Sequence, residues 1–298
     1  MNLKKLLFLC MIPLYFSSTA QKRVVIIGLD GLSVEGFQKS KHPNLDALIK
    51  EGVLSLNTRS VMPSLTLPNW TSHLTSGGPE QHGVTSNKWR IDNQDFPPIE
   101  KDEQGYYPSI FKILKEQIPN IKTAYYYNWD DLINSMNKQY LDEVSFEKKY
   151  SYKDNYAKAF NFITENKLSP SLIFLYTVHI DHAGHSFKWM SPEYISAIEE
   201  TDVEVGKLIS NLKSKNLYYK TNFLLITDHG GTRDTEHGGL SIEEMEVPWA
   251  ITGPGIIKGK PLTEPNSNAN TAMIISKLFG IKKTPKSWIG KVPQSIFK

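Results

Sequence analysis

Arg23-Val24-Val25-Ile26-Ile27-Gly28-Leu29-Asp30-Gly31 decides the fold class. Its centre is a short, β-branched apolar run with no polar face. A strand buried on both sides reads this way, and such strands belong to parallel sheets covered by helices. The run stops at a carboxylate and a glycine. In open α/β sheets ligands gather just past the C-terminal ends of strands, so Asp30 is a candidate functional group as well as a turn former. Two more runs follow the same plan. Ser171 to Val178 leads at once into His179-Ile180-Asp181-His182-Ala183-Gly184-His185, and Asn222 to Thr227 ends in Asp228-His229-Gly230-Gly231. Val247 to Thr252 is a fourth candidate, ending in Gly253-Pro254-Gly255.

Between these runs the sequence predicts helices over Pro43–Glu51, Leu67–Thr75, Tyr107–Gln117, Asp154–Asn166, Pro192–Leu217 and Asn268–Phe279. Val53–Ser60 and Lys122–Tyr127 are further strand candidates, and Trp89–Gln104 reads as a loop. Strands alternating with helices predict one α/β domain, with a mostly parallel central sheet flanked by helices.

The first 20 residues are set apart. Lys4 and Lys5 precede an apolar run from Leu6 to Phe16, and Ser17-Ser18-Thr19-Ala20 offers small residues for cleavage. This is the pattern of a secretory signal peptide, and the run is short for a membrane span. The expected division is a signal peptide over residues 1–20 and one domain over residues 21–298. The expected location is a periplasm or the cell exterior, with no membrane insertion after cleavage. Cys10, the single cysteine, lies inside the run, so the mature chain would have neither disulfide nor thiolate ligand. Losing Lys4 and Lys5 takes the formal charge from +3 to +1, which is not that of a general nucleic-acid binder.

The chemistry-bearing residues follow the strands. Asp30, Asp181 and Asp228 each close an apolar run, and in a parallel sheet those ends share one edge. His185 stands four residues after Asp181, His229 adjoins Asp228, and His237 comes nine after Asp228, beside Gly238-Gly239. All are expected on turns. Three carboxylates and three imidazoles form a donor set suited to Zn²⁺. Thr66-Leu67-Pro68-Asn69 places a hydroxyl where a loop meets a helix start, with Pro68 fitting the first turn. A Thr there is commonly a helix cap. The free N–H groups of a helix start also favour an anion.

Taken together, Leu29-Asp30-Gly31, Thr66-Leu67-Pro68-Asn69, His82-Gly83, Asp181-x-x-Gly184-His185, Thr227-Asp228-His229-Gly230 and His237-Gly238 resemble the alkaline phosphatase superfamily. The branch they are most similar to is the type I phosphodiesterase / nucleotide pyrophosphatase family. The resemblance implies two zinc ions per chain. Asp181, His185 and His237 would hold one, and Asp30, Asp228 and His229 the other, with Thr66 beside it as nucleophile. Asn87 matches the family's asparagine that helps hold a phosphoryl oxygen, and Asn69 reads instead as a helix-start residue. The implied activity is hydrolysis of a small phosphate diester or pyrophosphate through a phospho-threonine, followed by attack of water.

One departure concerns the substrate. Many relatives carry a long insert before the last metal histidine, where this chain has only Gly230 to Glu236. Residues 88–150 are then the candidate substrate-pocket insert. Trp89 could stack on a flat leaving group or simply pack in a core. A phosphomonoesterase or phosphonate hydrolase would need extra positive charge, for which Lys88, Arg90 and Arg233 are the candidates, each with surface solvation as its plainer role. A sulfatase is disfavoured because its oxidised Cys or Ser is replaced by Thr66. A non-catalytic binding protein on the same fold would be expected to have lost a ligand or the nucleophile. The oligomeric state is not legible.

Overall fold

In the computed structural model, which describes residues 22–148, 151–234 and 236–298, the opening run lies at the middle of the sheet. The expected signal peptide and Cys10 lie outside the described residues. The strands are β1 (Arg23–Leu29), β2 (Gly52–Arg59), β3 (Lys122–Tyr127), β4 (Glu143–Phe146), β5 (Ser171–Thr177), β6 (Thr221–Ile226), β7 (Glu246–Thr252) and β8 (Lys260–Pro261). The helices are α1 (Val34–Lys39), α2 (Pro43–Ile49), α3 (Thr66–Thr75), α4 (Pro79–His82), α5 (Ile110–Gln117), α6 (Tyr152–Glu165), α7 (His179–Phe187), α8 (Pro192–Ser214), α9 (Ile242–Met245) and α10 (Thr271–Phe279).

The sheet order is β4-β3-β5-β1-β6-β7-β2-β8. β1 pairs in parallel with β5 on one side and β6 on the other, so that Gly28 faces both Tyr176 and Ile226. Only β7 runs against the rest, antiparallel to β6 and to β2. The expected single α/β domain with a mostly parallel sheet is therefore what the chain forms. The reversal of β7 has a consequence for the fourth run. Thr252 pairs with Phe223, near the start of β6, so Gly253-Pro254-Gly255 lies at the edge away from the ends of β1, β5 and β6.

Both faces of β1 are covered, which is why its sequence has no polar side. Val24 and Ile26 pack with Trp70 and Leu74 of α3, Phe111 of α5 and Ile275 of α10. Val25, Ile27 and Leu29 pack on the other face with Leu45 of α2, Phe162 of α6, Ile180 of α7 and Ile198 of α8.

Two local expectations change. Asp181 and His185 stand on a helix, α7, and not on a turn. Its sequence, HIDHAGHSF, contains few strong helix formers, and tertiary contacts supply what propensity lacks. Thr66 is not the cap of α3. Leu65 occupies that position, and Thr66 is the first helical residue with its hydroxyl directed elsewhere. The helix expected from Tyr107 begins instead at Ile110, where the Ser109 hydroxyl accepts from the Lys112 N–H.

Two histidines that are not site candidates fix α3 in place. His73 is fully buried, with Nδ1 2.8 Å from Thr271 Oγ1 and Nε2 donating to the Thr227 carbonyl at 3.1 Å. His82 accepts from the Val84 N–H at 3.0 Å through Nδ1, so its Nε2–H donates to Ser72 Oγ at 3.0 Å. Desolvation pushes each imidazole down to about 3, so each is held neutral. The unfolded chain binds protons at both near the ordinary value of about 6.5. Their contribution is therefore intact above pH 6.5 and is lost on acidification, at about 1.4 kcal/mol per pH unit per group down to the folded value. NMR titration should find both rings neutral at pH 5 while unfolding free energy falls from pH 6.5 to 4.5. A ring titrating near 6.5 in the folded protein would contradict this.

Candidate metal centre

Three adjacent strands end at the same edge, and their following residues bring the carboxylates together. Asp30 follows β1, Asp228 lies two residues past β6, and Asp181 sits in the first turn of α7 after β5. Backbone bonds hold the segments to one another. The Asp30 N–H donates to the Thr177 carbonyl at 3.1 Å, and the Asp181 N–H donates to the Asp30 carbonyl at 3.1 Å. All three carboxylates are buried.

Each carboxylate has one oxygen with no hydrogen-bond partner among the described residues: Asp30 Oδ1, Asp181 Oδ1 and Asp228 Oδ2. Orphaned buried carboxylate oxygens are costly and call for a cation. The same three atoms face imidazole nitrogens. His229 Nε2 lies 3.1 Å from Asp228 Oδ2, 3.6 Å from Asp30 Oδ1 and 3.2 Å from Thr66 Oγ1. His185 Nε2 lies 3.5 Å from Asp181 Oδ1 and 3.1 Å from His237 Nε2, which is itself 3.9 Å from Asp181 Oδ1. Donors about 2.0–2.1 Å from a tetrahedral zinc are about 3.3 Å from one another. The separations of 3.1 to 3.6 Å are close to that edge, and the 3.9 Å between His237 and Asp181 is longer.

The tautomers point the same way. His229 Nδ1 is 2.8 Å from the Gly230 carbonyl and His237 Nδ1 is 3.0 Å from the Ser64 carbonyl. A carbonyl only accepts, so each Nδ1 carries the proton and each Nε2 presents a lone pair inward. In the absence of a cation the electrostatics are adverse. Desolvation first, and then the Asp228 and Asp181 charges, push Asp30 well up from the usual carboxylate range. Burial raises Asp228 to about 7; it does the same to Asp181, where the Asp228 charge adds to it and His185 opposes it. Burial lowers His229 to about 4 and, with the neighbouring His229, lowers His237 to about 3.

Asp181 also lies within 4.8 Å of the Asp30 and His229 donors, so it stands between the two groups rather than wholly in one. Asn87 is brought in from the loop after α4. Its Oδ1 accepts from the Leu67 N–H, at the start of α3, at 2.8 Å. All eight residues singled out from the sequence thus meet at one edge.

Of the alternatives left open by the sequence, the plainer ones hold. Asn69 sits inside α3 rather than at its start, and its amide braces the preceding loop by donating to the Val61, Pro63 and Leu65 carbonyls. Trp89 is buried with Leu67 and Val84, so core packing is its role and its face is not open for stacking. Arg90 pairs with Asp131 at 2.6 Å and Arg233 with Glu35 at 2.9 Å, while Lys88 is exposed.

The residues that hold the ligands in place were not foreseen. Trp70 Nε1–H donates to Asp30 Oδ2 at 3.3 Å, and the Tyr176 hydroxyl donates to the same oxygen. The Gly31 N–H donates to Asp228 Oδ1 at 3.1 Å. Trp189 is buried, donates from Nε1 to the Gly31 carbonyl at 3.0 Å, and sets its ring edge-on to His185 with centroids 5.1 Å apart. A Cβ on Gly184 would come within 2.8 Å of that indole, and one on Gly231 within 2.2 Å. The glycines of Asp-x-x-Gly-His and Asp-His-Gly-Gly therefore make room for Trp189. The one available signal was the glycines themselves.

Sheet topology and site together define an alkaline-phosphatase-like α/β protein with a paired carboxylate–imidazole centre. A family profile described as type I phosphodiesterase / nucleotide pyrophosphatase matches residues 24–247, and the chain belongs to that family. The chain is 27% identical over 246 residues to an uncharacterized pyrophosphatase/phosphodiesterase of Schizosaccharomyces pombe, covering 76% of this chain and 48% of that protein. It is 25% identical over 242 residues to the human bis(5'-adenosyl)-triphosphatase ENPP4, covering 76% of this chain and 51% of that one. The chain thus spans about half the length of these two relatives, and about a quarter of the mouse ectonucleotide pyrophosphatase/phosphodiesterase family member 3. In fold it is similar to murine ectonucleotide pyrophosphatase/phosphodiesterase 5, solved in an inactive form with AMP. The TM-score is 0.75 at 16% identity, over 89% of this chain and 96% of that one.

Replacing Trp189 by Ala should weaken divalent-cation binding by about 10–100-fold, the usual effect of removing a group that orients a metal ligand. Gly231→Ala should act in the same direction by displacing the indole. Calorimetric titration of chelator-treated protein with Zn²⁺ reads both, and unchanged affinity in both variants would refute the role given to the ring.

Proposed function

We propose that the protein is a two-zinc phosphodiesterase or nucleotide pyrophosphatase that acts outside the cytoplasm and forms a phospho-Thr66 intermediate. The observation that carries this reading is the set of three orphaned carboxylate oxygens facing imidazole nitrogens, with the Thr66 hydroxyl 3.2 Å from one of those nitrogens. Family membership supports the reaction class. Asp181, His185 and His237 would hold one zinc, and Asp30, Asp228 and His229 the other. Zinc bound there supplies an activated nucleophile and neutralises developing charge on phosphoryl and leaving oxygens.

The remaining steps belong to the chain. Thr66 Oγ1 is held at the start of α3; it loses its proton to solvent and attacks phosphorus, forming the O–P bond as the bond to the leaving oxygen breaks and that oxygen takes up a proton from solvent. At the start of α3 the Leu67 N–H is given to Asn87 and Pro68 has none, so the Thr66 N–H is the one that would face a phosphate. The Asn87 Oδ1 is engaged by Leu67, which leaves Nδ2 to donate to a phosphoryl oxygen. Water then cleaves the phospho-threonine and restores the hydroxyl. His229 and His237 are fixed by backbone carbonyls, so neither must reorient during the cycle.

The substrate is read as a small phosphate ester, a nucleotide by family. Residues 21–298 are read as one domain, with 88–150 shaping the leaving-group side. The AMP held by the structurally similar murine protein favours a nucleotide. A monoesterase is less well supported, because Arg90 and Arg233 are already neutralised by Asp131 and Glu35.

Thr66→Ala should lower turnover by at least about a thousandfold, as loss of a nucleophile does, while elemental analysis still finds two zincs. Near-normal turnover would sink the covalent step. Asp181→Ala or His237→Ala should reduce the zinc count, and two zincs in either variant would refute the ligand assignment. Rates with bis-p-nitrophenyl phosphate, the thymidine 5′-monophosphate nitrophenyl ester, p-nitrophenyl phosphate and p-nitrophenyl sulfate separate the alternatives. The diesters should be hydrolysed fastest, and a faster monoester would favour the second reading.

A further inference from the structure

The edge of the sheet opposite the metal centre has a character that the mature formal charge of +1 conceals. β1, β3, β5 and β6 begin there, β7 ends there, and so do α2, α6, α8 and α10. Backbone contacts make it one continuous surface. The Ser171 N–H donates to the Lys22 carbonyl at 3.0 Å, and the Lys122 N–H donates to the Pro170 carbonyl at 2.9 Å. Arg23 Nη2 donates to the Lys167 carbonyl at 3.2 Å. Lys22 Nζ lies 3.3 Å from where a Cβ on Gly280 would stand.

Lys22, Lys122, Lys167, Lys215, Lys220 and Lys283 lie along this edge, and among the described residues none of the six has an ion-pair partner. The acids nearby are mostly spoken for. Glu51 pairs with Lys258, Glu116 with Lys112 and Asp142 with Lys115, while Glu165 is exposed at the end of α6. Two large apolar side chains stand out among the lysines, Leu168 at 77% and Tyr219 at 74% exposure. Beside Tyr219 a cleft of about 490 Å³ opens, lined by Lys213, Lys258, Lys298, Tyr218 and Glu51, with Lys213 Nζ 4.7 Å from the centre of the Tyr218 ring.

We propose that this edge docks on a bilayer carrying anionic phospholipid, with the lysine-lined cleft receiving a phosphate headgroup. Two observations select a lipid surface. Unpaired lysines spread over a broad edge match a plane of negative charge, each contributing separately to its attraction. An exposed leucine and tyrosine between them supply the apolar bodies that settle at the headgroup boundary. Docked in this way, the protein turns Thr66 and its metal ligands away from the bilayer, towards soluble substrate. The inference does not depend on the catalytic reading.

The experiment is co-sedimentation of the chain processed at residue 20 with phosphatidylcholine vesicles and with vesicles containing one part in four phosphatidylglycerol, at low and high salt. Binding should require phosphatidylglycerol and weaken with salt. The triple variant Lys167→Glu, Lys215→Glu, Lys220→Glu should bind at least about a hundredfold more weakly, since each lysine lost near such a surface is worth about fivefold and each glutamate adds repulsion. Its thermal midpoint and its hydrolytic rate should match the parent, which separates lost docking from lost folding. Leu168→Ser with Tyr219→Ser should reduce what binding survives at high salt. Equal binding to both vesicles, or undiminished binding of the triple variant, overturns the proposal. So does tighter binding to duplex DNA than to the anionic vesicles, which would mark the edge as a general polyanion surface.

Discussion

Like-charge convergence is the constraint on which the site depends. Asp30, Asp181 and Asp228 are buried at the ends of three neighbouring strands, each with an oxygen that nothing in the described chain satisfies. Such an arrangement opposes folding unless the charge is neutralised by protons or by a cation. Burial raises the carboxylates and lowers His229 and His237, so the charged forms are disfavoured throughout the cluster. A bound cation would offset the carboxylate charge and take the lone pairs that neutral imidazoles offer.

The surroundings serve that convergence. Trp70 and Tyr176 occupy the second oxygen of Asp30, so only Oδ1 is left to face inward. Trp189 ties the loop after β1 to α7 through the Gly31 carbonyl and backs His185 with its ring. Ser64 does the same for the loop before α3. Its carbonyl fixes His237, while its hydroxyl donates to the Gly239 carbonyl and accepts from the Gly238 N–H. The loop that leads into Thr66 is therefore laced to His237, which couples the position of Thr66 to that of the carboxylate–imidazole cluster.

Some of the wrong expectations share a cause. The Asp181–His185 segment was expected on a turn because its residues favour turns, yet helix and sheet packing impose α7. Thr66 was read as a cap because Thr commonly is one, yet the entry into the helix puts Leu65 at that position. In each case local preference was overruled by contacts with residues far along the chain.

By itself the sequence determined the fold class and the chemical inventory. Apolar runs without a polar face require burial on both sides, and carboxylates at their ends require a shared edge in a parallel sheet. Residue types at fixed offsets, such as Asp181 with His185, needed no coordinates to suggest ligands. Tertiary structure alone decided which donor atoms face one another, that Asp181 stands between both groups, and that Trp70, Tyr176, Ser64 and Trp189 hold them. It also decided that β7 runs backwards and that unpaired lysines gather on the far edge. The reason is physical. Periodicity and motif report what a segment must bury or bind, while orientation and partnership are set by contacts between segments that are distant in the chain.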